Sequence, residues 1–320
     1  MSSLTKTLAF RPATPDDAAF AADVWTAVRP SSPSDPLVTR YEWETATDNW
    51  IAARYIAERD SAPVGVAVYE HPRWELTEQR WAFVAGDLFP YARAHLADLV
   101  AAMEERAAAD GATLLRTWAI ADDQFRIDTL LARGFREDRR GKRWELDLVA
   151  NRRRLEEMAE ASRARMRREG IQLLTLAADR DPKKYEKIWR MSEEAAHDVP
   201  TTIPHVEETL EDYMKWFRSP DMREDRFWLA REGDGIVGVS VLTYPPVRGI
   251  VGTAWTATAR SVRGRGVARA LKCETVMQAI ALGVDRVRTG NDAKNDPILH
   301  INETMGYREI PGGIQFMKDV

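Results

Sequence analysis

The sequence predicts an α/β protein of the α+β kind, with a mixed central sheet flanked by helices, built twice in tandem. Three observations lead there. Strand and helix patterns are interleaved along the chain, the order of elements in the first half returns in the second, and landmark residues recur at a nearly fixed offset. At 320 residues the chain also exceeds the roughly 100–200 residues of one ordinary domain.

In the first half, LAFRPA reads as a strand and a helix starts near Asp16. RYIAERDSAPVGVAVYE reads as two strands around a turn, and QRWAFVAGDL as a further strand. AHLADLVAAMEERAAADG is helical by its apolar spacing, TLLRTWAI is a strand, QFRIDTLLARGF a helix and KRWELDLV a closing strand. The second half follows the same order: IQLLTLA, a helix from Pro182, RFWLAREGDGIVGVSVLTY, GIVGTAWTATA, a helix after an RGRG loop, DRVRTGN, PILHINETMGY and GIQFMKD. Gly65 and Gly238 are 173 residues apart, and Gly111/Gly283 and Gly134/Gly306 are each separated by 172. That period is far longer than the roughly 20–50 residues of a solenoid repeat, so it marks a duplicated domain.

Between the copies, ANRRRLEEMAEASRARMRREG is highly charged, helix-prone and ends at Gly170. Glutamates interrupt its basic residues and no aromatic residues interleave, which favours a solvated linker helix over a nucleic-acid-binding arm. The expected organisation is therefore a degenerate domain over 1–149, a charged helical linker over 150–170 and a ligand-binding domain over 171–320.

The formal net charge of −4 gives the chain no general attraction to nucleic acid or anionic membrane, so any anion site must be local. MSSLTKTLAFRPATPDD lacks the apolar core of a leader, and no later stretch reaches the roughly 20 apolar residues of a membrane span. A cytoplasmic protein is expected. The single cysteine, Cys273, excludes an internal disulfide and a multi-cysteine zinc site; it lies in the helical stripe Ala270, Cys273, Met277, Ile280 and reads as a core thiol.

The local anion site is expected in Arg263-Gly264-Arg265-Gly266, directly before the helix that begins at Val267 and Ala268. At the 172 offset the first copy has Tyr91-Ala92-Arg93-Ala94, so the fold itself does not demand the glycines. Such a loop could cap a helix, bind RNA or hold a phosphate. An RNA-binding tract would be repeated, whereas this one occurs once between a strand and a helix. A glycine-rich turn entering a helix N-terminus exposes backbone N–H groups to an anion, and the helix dipole and guanidinium groups add to the attraction.

TAWTATA, RSVRGRGVA, RALKCETVMQAIALG, VRTGN and NDPILHINETMGY together resemble the GNAT superfamily of acyl-CoA-dependent N-acyltransferases. R-G-R-G-V-A stands for the superfamily's R/Q-x-x-G-x-G/A signature, and the duplicated layout is similar to that of tandem members such as mycothiol synthase. The resemblance implies acetyl-CoA, or another acyl-CoA, as co-substrate in the C-terminal domain, with no metal. It implies that the strand backbone at Ala257 and Thr258 binds pantetheine and the thioester carbonyl. The amides of Arg265, Gly266, Val267 and Ala268 would hold the pyrophosphate. Asn295 matches the asparagine near the cofactor arm, and equally suits a helix N-cap ahead of Pro297.

Transfer to an amine needs a base, and SEEAAHDVPTTIPHVEE offers Glu194, His197, Asp198 and His205. Asp198, at the end of a helix, is the expected base, with an exposed helix-terminating aspartate as the alternative. His197 and His205 lack a third metal ligand at convincing spacing. Many GNAT enzymes place a tyrosine proton donor four residues before the closing G-F/Y pair; here that position is Asn302, which can hydrogen-bond sulfur but is no useful acid. Water, a neighbouring group such as His300 or Tyr244, or simple solvent release takes its place. Leu130 is its counterpart in the first copy. The expected function is acetyl transfer to a primary amine of a small-molecule acceptor, without nucleic-acid or membrane partners and with a homodimer allowed. A non-catalytic CoA-binding sensor or scaffold is the alternative.

Overall fold

The computed structural model describes residues 8–203 and 205–320. Residues 1–7, where the leader reading begins, and Pro204 lie outside the described residues. The first half runs β1 (Ala9–Pro12), α1 (Ala18–Val28), α2 (Pro36–Glu44), β2 (Trp50–Arg59), β3 (Ala62–Pro72), β4 (Trp81–Leu88), α3 (Leu96–Ala109), β5 (Leu114–Ile120), α4 (Gln124–Ala132) and β6 (Arg136–Asp147). It continues with α5 (Arg152–Arg168), β7 (Gln172–Thr175), α6 (Lys184–Ala196), α7 (Leu210–Trp216), β8 (Phe227–Glu232), β9 (Gly235–Thr243), β10 (Gly252–Thr258), α8 (Val267–Ala281), β11 (Arg286–Asp292), α9 (Asp296–Met305) and β12 (Arg308–Asp319). The alternating patterns thus produce the strands and helices read from them. Two short helices, α2 and α7, escape that reading: each is a brief, mostly polar segment started by a capping side chain, Asp35 or Thr209.

The chain folds into two compact units, one of residues 1–140, 246–249 and 311–320 and one of residues 141–245 and 250–310. In the first, β1, β2, β3 and β4 form an antiparallel run, β5 joins β4 in parallel, and β12 closes against β5 antiparallel from Gly313↔Ile120 to Asp319↔Leu114. In the second, β7, β8, β9 and β10 are antiparallel, β11 is parallel to β10, and β6 pairs antiparallel with β11 from Asp292↔Gly141 to Arg286↔Asp147. Both sheets are mixed, as expected. The closing strands, however, are exchanged. In each unit the strand laid beside the parallel pair comes from the other half of the sequence, so the compact units do not follow the boundaries at 149 and 171.

A second difference concerns residues 150–170. These form α5, but not a solvated linker: Leu155, Ala159 and Met166 are buried. Met158 and Ala159 join a core with Cys273, Val276 and Ala279 of α8, and Met166 joins Val267, Ala270 and Leu271. The apolar residues fall on one side of the helix at three- to four-residue steps, and the many charges occupy the rest. α8 is consequently covered by the sheet on one side and by α5 on the other. That explains why polar side chains on it are enclosed: Glu274 is only 5% exposed, and Arg163 of α5 grips both its oxygens at 2.6 and 2.8 Å. Cys273 is fully buried, and burial pushes its thiol up to about 11, as suits a core residue and not a nucleophile.

The central strands explain themselves by composition. β9, GIVGVSVLT, is buried from Ile236 to Leu242, because α6 packs on one face, at Val239 and Val241, and α8 on the other, at Gly238; a near-continuous Val/Ile run meets that demand. In the first unit the equivalent core joins Leu99, Met103 and Ala107 of α3 to Val84, Leu115 and Phe316.

Candidate active site

The site is built in the second unit, where two neighbouring strands part. β10 and β11 are paired only at Gly252↔Arg288, while β10 keeps its pairing to β9 through Thr258↔Gly238. A register shift between Thr253 and Trp255 accompanies the divergence, in the manner of a β-bulge that turns a strand. From Thr253 to Thr258 the backbone edge that would face β11 therefore has no strand partner. Ala257 and Thr258 lie in this part of β10; Ala259 N donates to Val237 O of β9, so by alternation Thr258 turns its amide and carbonyl to the free edge.

Beyond Thr258 the chain makes a short 3-10 turn at Arg260–Val262 and enters the RGRG loop. Gly264 and Gly266 both take left-handed conformations, with φ of 78° and 88°, which side chains rarely tolerate. Gly266 is the N-cap of α8 and no side chain caps the helix. The first intrahelical bond runs from Ala270 N to Gly266 O, so the N–H groups of Val267, Ala268 and Arg269 point out of the helix end. A 15-residue helix adds its dipole to that group. The arrangement suits a phosphate or pyrophosphate, because the glycines let an anion reach the backbone.

The arginines are distributed differently from the expectation that all would face the ligand. Arg265 is a tether: Nε reaches Glu169 at 2.9 Å and Nη2 reaches Glu232 at 2.9 Å, fixing the loop to the ends of α5 and β8. Arg263 and Arg260 both bind Asp198, at 2.7 Å and at 2.6 and 2.8 Å. A further cation, Arg165 of α5, donates to Gly264 O at 3.2 Å and lies within 3.0 Å of where a Gly266 side chain would begin. Sequence reading missed Arg165 because it sits 99 residues away in a segment taken for a linker.

Those contacts correct the role of Asp198. Hydrogen bonds from Arg260 and Arg263 hold its carboxyl far below the usual carboxylate range, whereas a base working near neutrality needs the opposite. Its neighbour Glu194 accepts from Arg260 N at 2.8 Å, so both carboxylates brace the approach to the loop. Asn302 is likewise structural. It is fully buried, as is its counterpart Leu130, and its Nδ2 donates to Asn291 Oδ1 at 2.7 Å across to β11. A side chain enclosed in that way does not present its amide to a thiolate. Asn295 stands at the N-cap of α9 without a capping side-chain bond, which leaves its amide available. Tyr244 remains protonated at neutral pH, since burial pushes its phenol up to about 12.

The first unit has the same parting of strands but not the same loop. β4 and β5 pair only from Trp81 to Phe83. Where the second unit has glycines, the first has a 3-10 helix, Pro90–His95, and its cations are already matched: Arg93 with Asp123, and Arg126 and Arg29 with Asp87. No comparable anion cradle is formed there.

No protein-family model and no curated protein matches the chain. Solved structures do. A tandem GNAT protein from the clavulanic acid biosynthesis pathway superposes with a TM-score of 0.74 at 15% identity, covering 98% of both chains. A GCN5-related N-acetyltransferase from Sphaerobacter thermophilus gives a TM-score of 0.65 at 17% identity, covering 98% of this chain and 95% of the other. The glucosamine N-acetyltransferase region of a fungal multi-domain GH3 β-N-acetylglucosaminidase gives 0.70 at 13% identity, over 99% of this chain and 39% of the other. By that likeness over almost the whole of both chains, the chain has the fold of a tandem GNAT protein.

Proposed function

We propose that the protein is an acyl-CoA-dependent N-acyltransferase whose second unit binds acetyl-CoA and transfers the acetyl group to a primary amine of a small molecule. The observation that carries this reading is the continuity of three features: the free edge of β10 beyond Gly252, the left-handed glycines 264 and 266, and the uncapped start of α8. An elongated ligand with a thioester at one end and a pyrophosphate further along fits that order. The β10 backbone at Ala257 and Thr258 would orient the thioester carbonyl, and the amides from Gly266 to Ala268 would hold the pyrophosphate, while the Arg265 N–H, donated to Val262 O at 3.3 Å, closes the turn. Acyl-CoA supplies an activated carbonyl; the amine nitrogen bonds to it as the carbon–sulfur bond breaks and the thiolate departs, gaining a proton. His300, Tyr244 and solvent are the donors this reading leaves, and the acceptor's own proton passes to water.

The alternative, CoA binding without turnover, is favoured by one observation: Asp198 is held ionised by two arginines and Asn302 is enclosed. Both readings share the loop, and one pair of measurements separates them. Acetyl-CoA should raise the melting temperature of the wild type, by about 2.7 kcal/mol of stability at a hundredfold excess over its dissociation constant. Ala268→Glu should keep or raise stability, since an acidic side chain suits a helix N-terminus, yet abolish that response by repelling phosphate. Release of free CoA thiol on a panel of amines then decides for the enzyme. No ligand response in the wild type would overturn both readings.

A further inference from the structure

We propose that Glu193, His197 and His205 form a site for a divalent transition-metal ion of the Zn2+ class, independent of the acyl-CoA reading. Glu193 and His197 are four residues apart at the end of α6, which stacks their side chains on one helix face. The chain then turns back over the same face. His205 Nε2 lies 3.0 Å from Glu193 Oε2, and the rings of His197 and His205 meet edge to face with centroids 5.0 Å apart. One donor atom from each of the three residues lies within 4.8 Å of the others. Glu207 Oε1, 3.4 Å from His197 Nε2, is placed to be a fourth.

Metal–donor bonds of about 2.0–2.2 Å in a tetrahedron put neighbouring donors about 3.4 Å apart. The 3.0 and 3.4 Å separations here lie just below and at that edge, and the remaining donors of the three residues are within 4.8 Å, a distance that rotamer adjustment shortens. Two imidazoles with carboxylate suit Zn2+ or Co2+ and not the all-oxygen shells of Mg2+ and Ca2+. The surroundings favour a cation as well. Asp212, 7% exposed, has one oxygen on Lys215 and the other without a hydrogen-bond partner.

The ion's role follows from where the ligands stand. Glu194 and Asp198, each one residue further on, hold Arg260, so Glu193 and His197 lie about 100° round the helix from the loop contacts. The ion would not touch the anion cradle. It would staple the segment between α6 and α7 to the end of α6.

The test uses untagged full-length protein stripped by chelator dialysis. Zn2+ is titrated by calorimetry and Co2+ by visible absorption, for the wild type, His197→Gln, His205→Gln and, as control, the exposed His300→Gln. One equivalent of Zn2+ should bind with a micromolar or tighter dissociation constant, and Co2+ should show the intense bands of four-coordination. Each ligand variant should weaken binding at least tenfold while His300→Gln matches the wild type. If His197→Gln does not fold, His205→Gln, in a loop, carries the same comparison. Absence of saturable binding, or equal binding in the folded ligand variants, would overturn the site.

Discussion

Replacing Lys272 by methionine should stabilise the protein at neutral pH. Lys272 is 1% exposed on α8, beneath α5, and no carboxylate pairs with it among the described residues. Burial pushes its ammonium down to about 8 from 10.5. A shift of that size corresponds to about 3 kcal/mol of unfavourable charge burial. The ammonium lies 5.1 Å from the ring centroid of Tyr307, a cation–π contact that returns roughly 0.5–2 kcal/mol. The net gain expected for Lys272→Met at pH 7 is thus about 1–3 kcal/mol, with roughly 2–4 °C in melting temperature for each kcal/mol. The sign depends on pH in a checkable way. Below pH 8 the amine is charged in both folded and unfolded chains and the penalty is complete; between 8 and 10.5 the folded chain sheds its proton first, so wild-type stability rises with pH. Urea unfolding of both proteins at pH 7 and pH 10 should show the advantage of the variant shrinking. A variant less stable than the wild type at both values, with an unchanged m-value, would refute the reasoning and mean that the ammonium is well solvated by groups within the core.

Three more outcomes follow from the loop and its supports. Gly266→Ala should cost about 1–2 kcal/mol in urea unfolding, because its φ of 88° is strained for any side chain; it should also weaken acetyl-CoA binding by calorimetry, as the new methyl group meets Arg165. Asp198→Asn should tighten CoA binding several-fold, since it frees Arg260 and Arg263 from a competing carboxylate; weaker binding would mean that Asp198 aims the arginines. Arg163→Met should destabilise the fold by about 3–5 kcal/mol, measured by urea unfolding, by leaving the enclosed Glu274 charge without its partner.

What the sequence disclosed and what it hid divide along physical lines. The duplication and the RGRG loop were legible because periodicity, turn glycines and helix starts are local properties. Gly134 and Gly306, 172 residues apart, both end helices in left-handed conformations, as matching positions of a repeated fold should. The functions assigned to Asp198 and Asn302 were not legible. Their partners, Arg260, Arg263 and Asn291, come from other elements, and those contacts decide whether a carboxylate is a base and whether an amide is exposed. The burial of α5 was masked by its charge, because a stripe of Leu155, Ala159 and Met166 is sparse among arginines and glutamates. Similarly, His197 and His205 are eight residues apart in sequence with an irregular segment between, and only the fold adds Glu193 as the third donor.

The closing strands have a consequence for biosynthesis. β5 receives its outer neighbour from the last strand of the chain, with Gly313 to Asp319 laid along it. A ribosome that has finished the first 140 residues has therefore not finished the first unit: the edge of β5 stays open until residues 313–319 are translated. A nascent chain in that state needs protection from edge-to-edge association. Stop codons before residue 313 should be as harmful as ones near residue 140, and a cut between residues 149 and 171 cannot yield two self-sufficient halves, however plainly the sequence was once doubled.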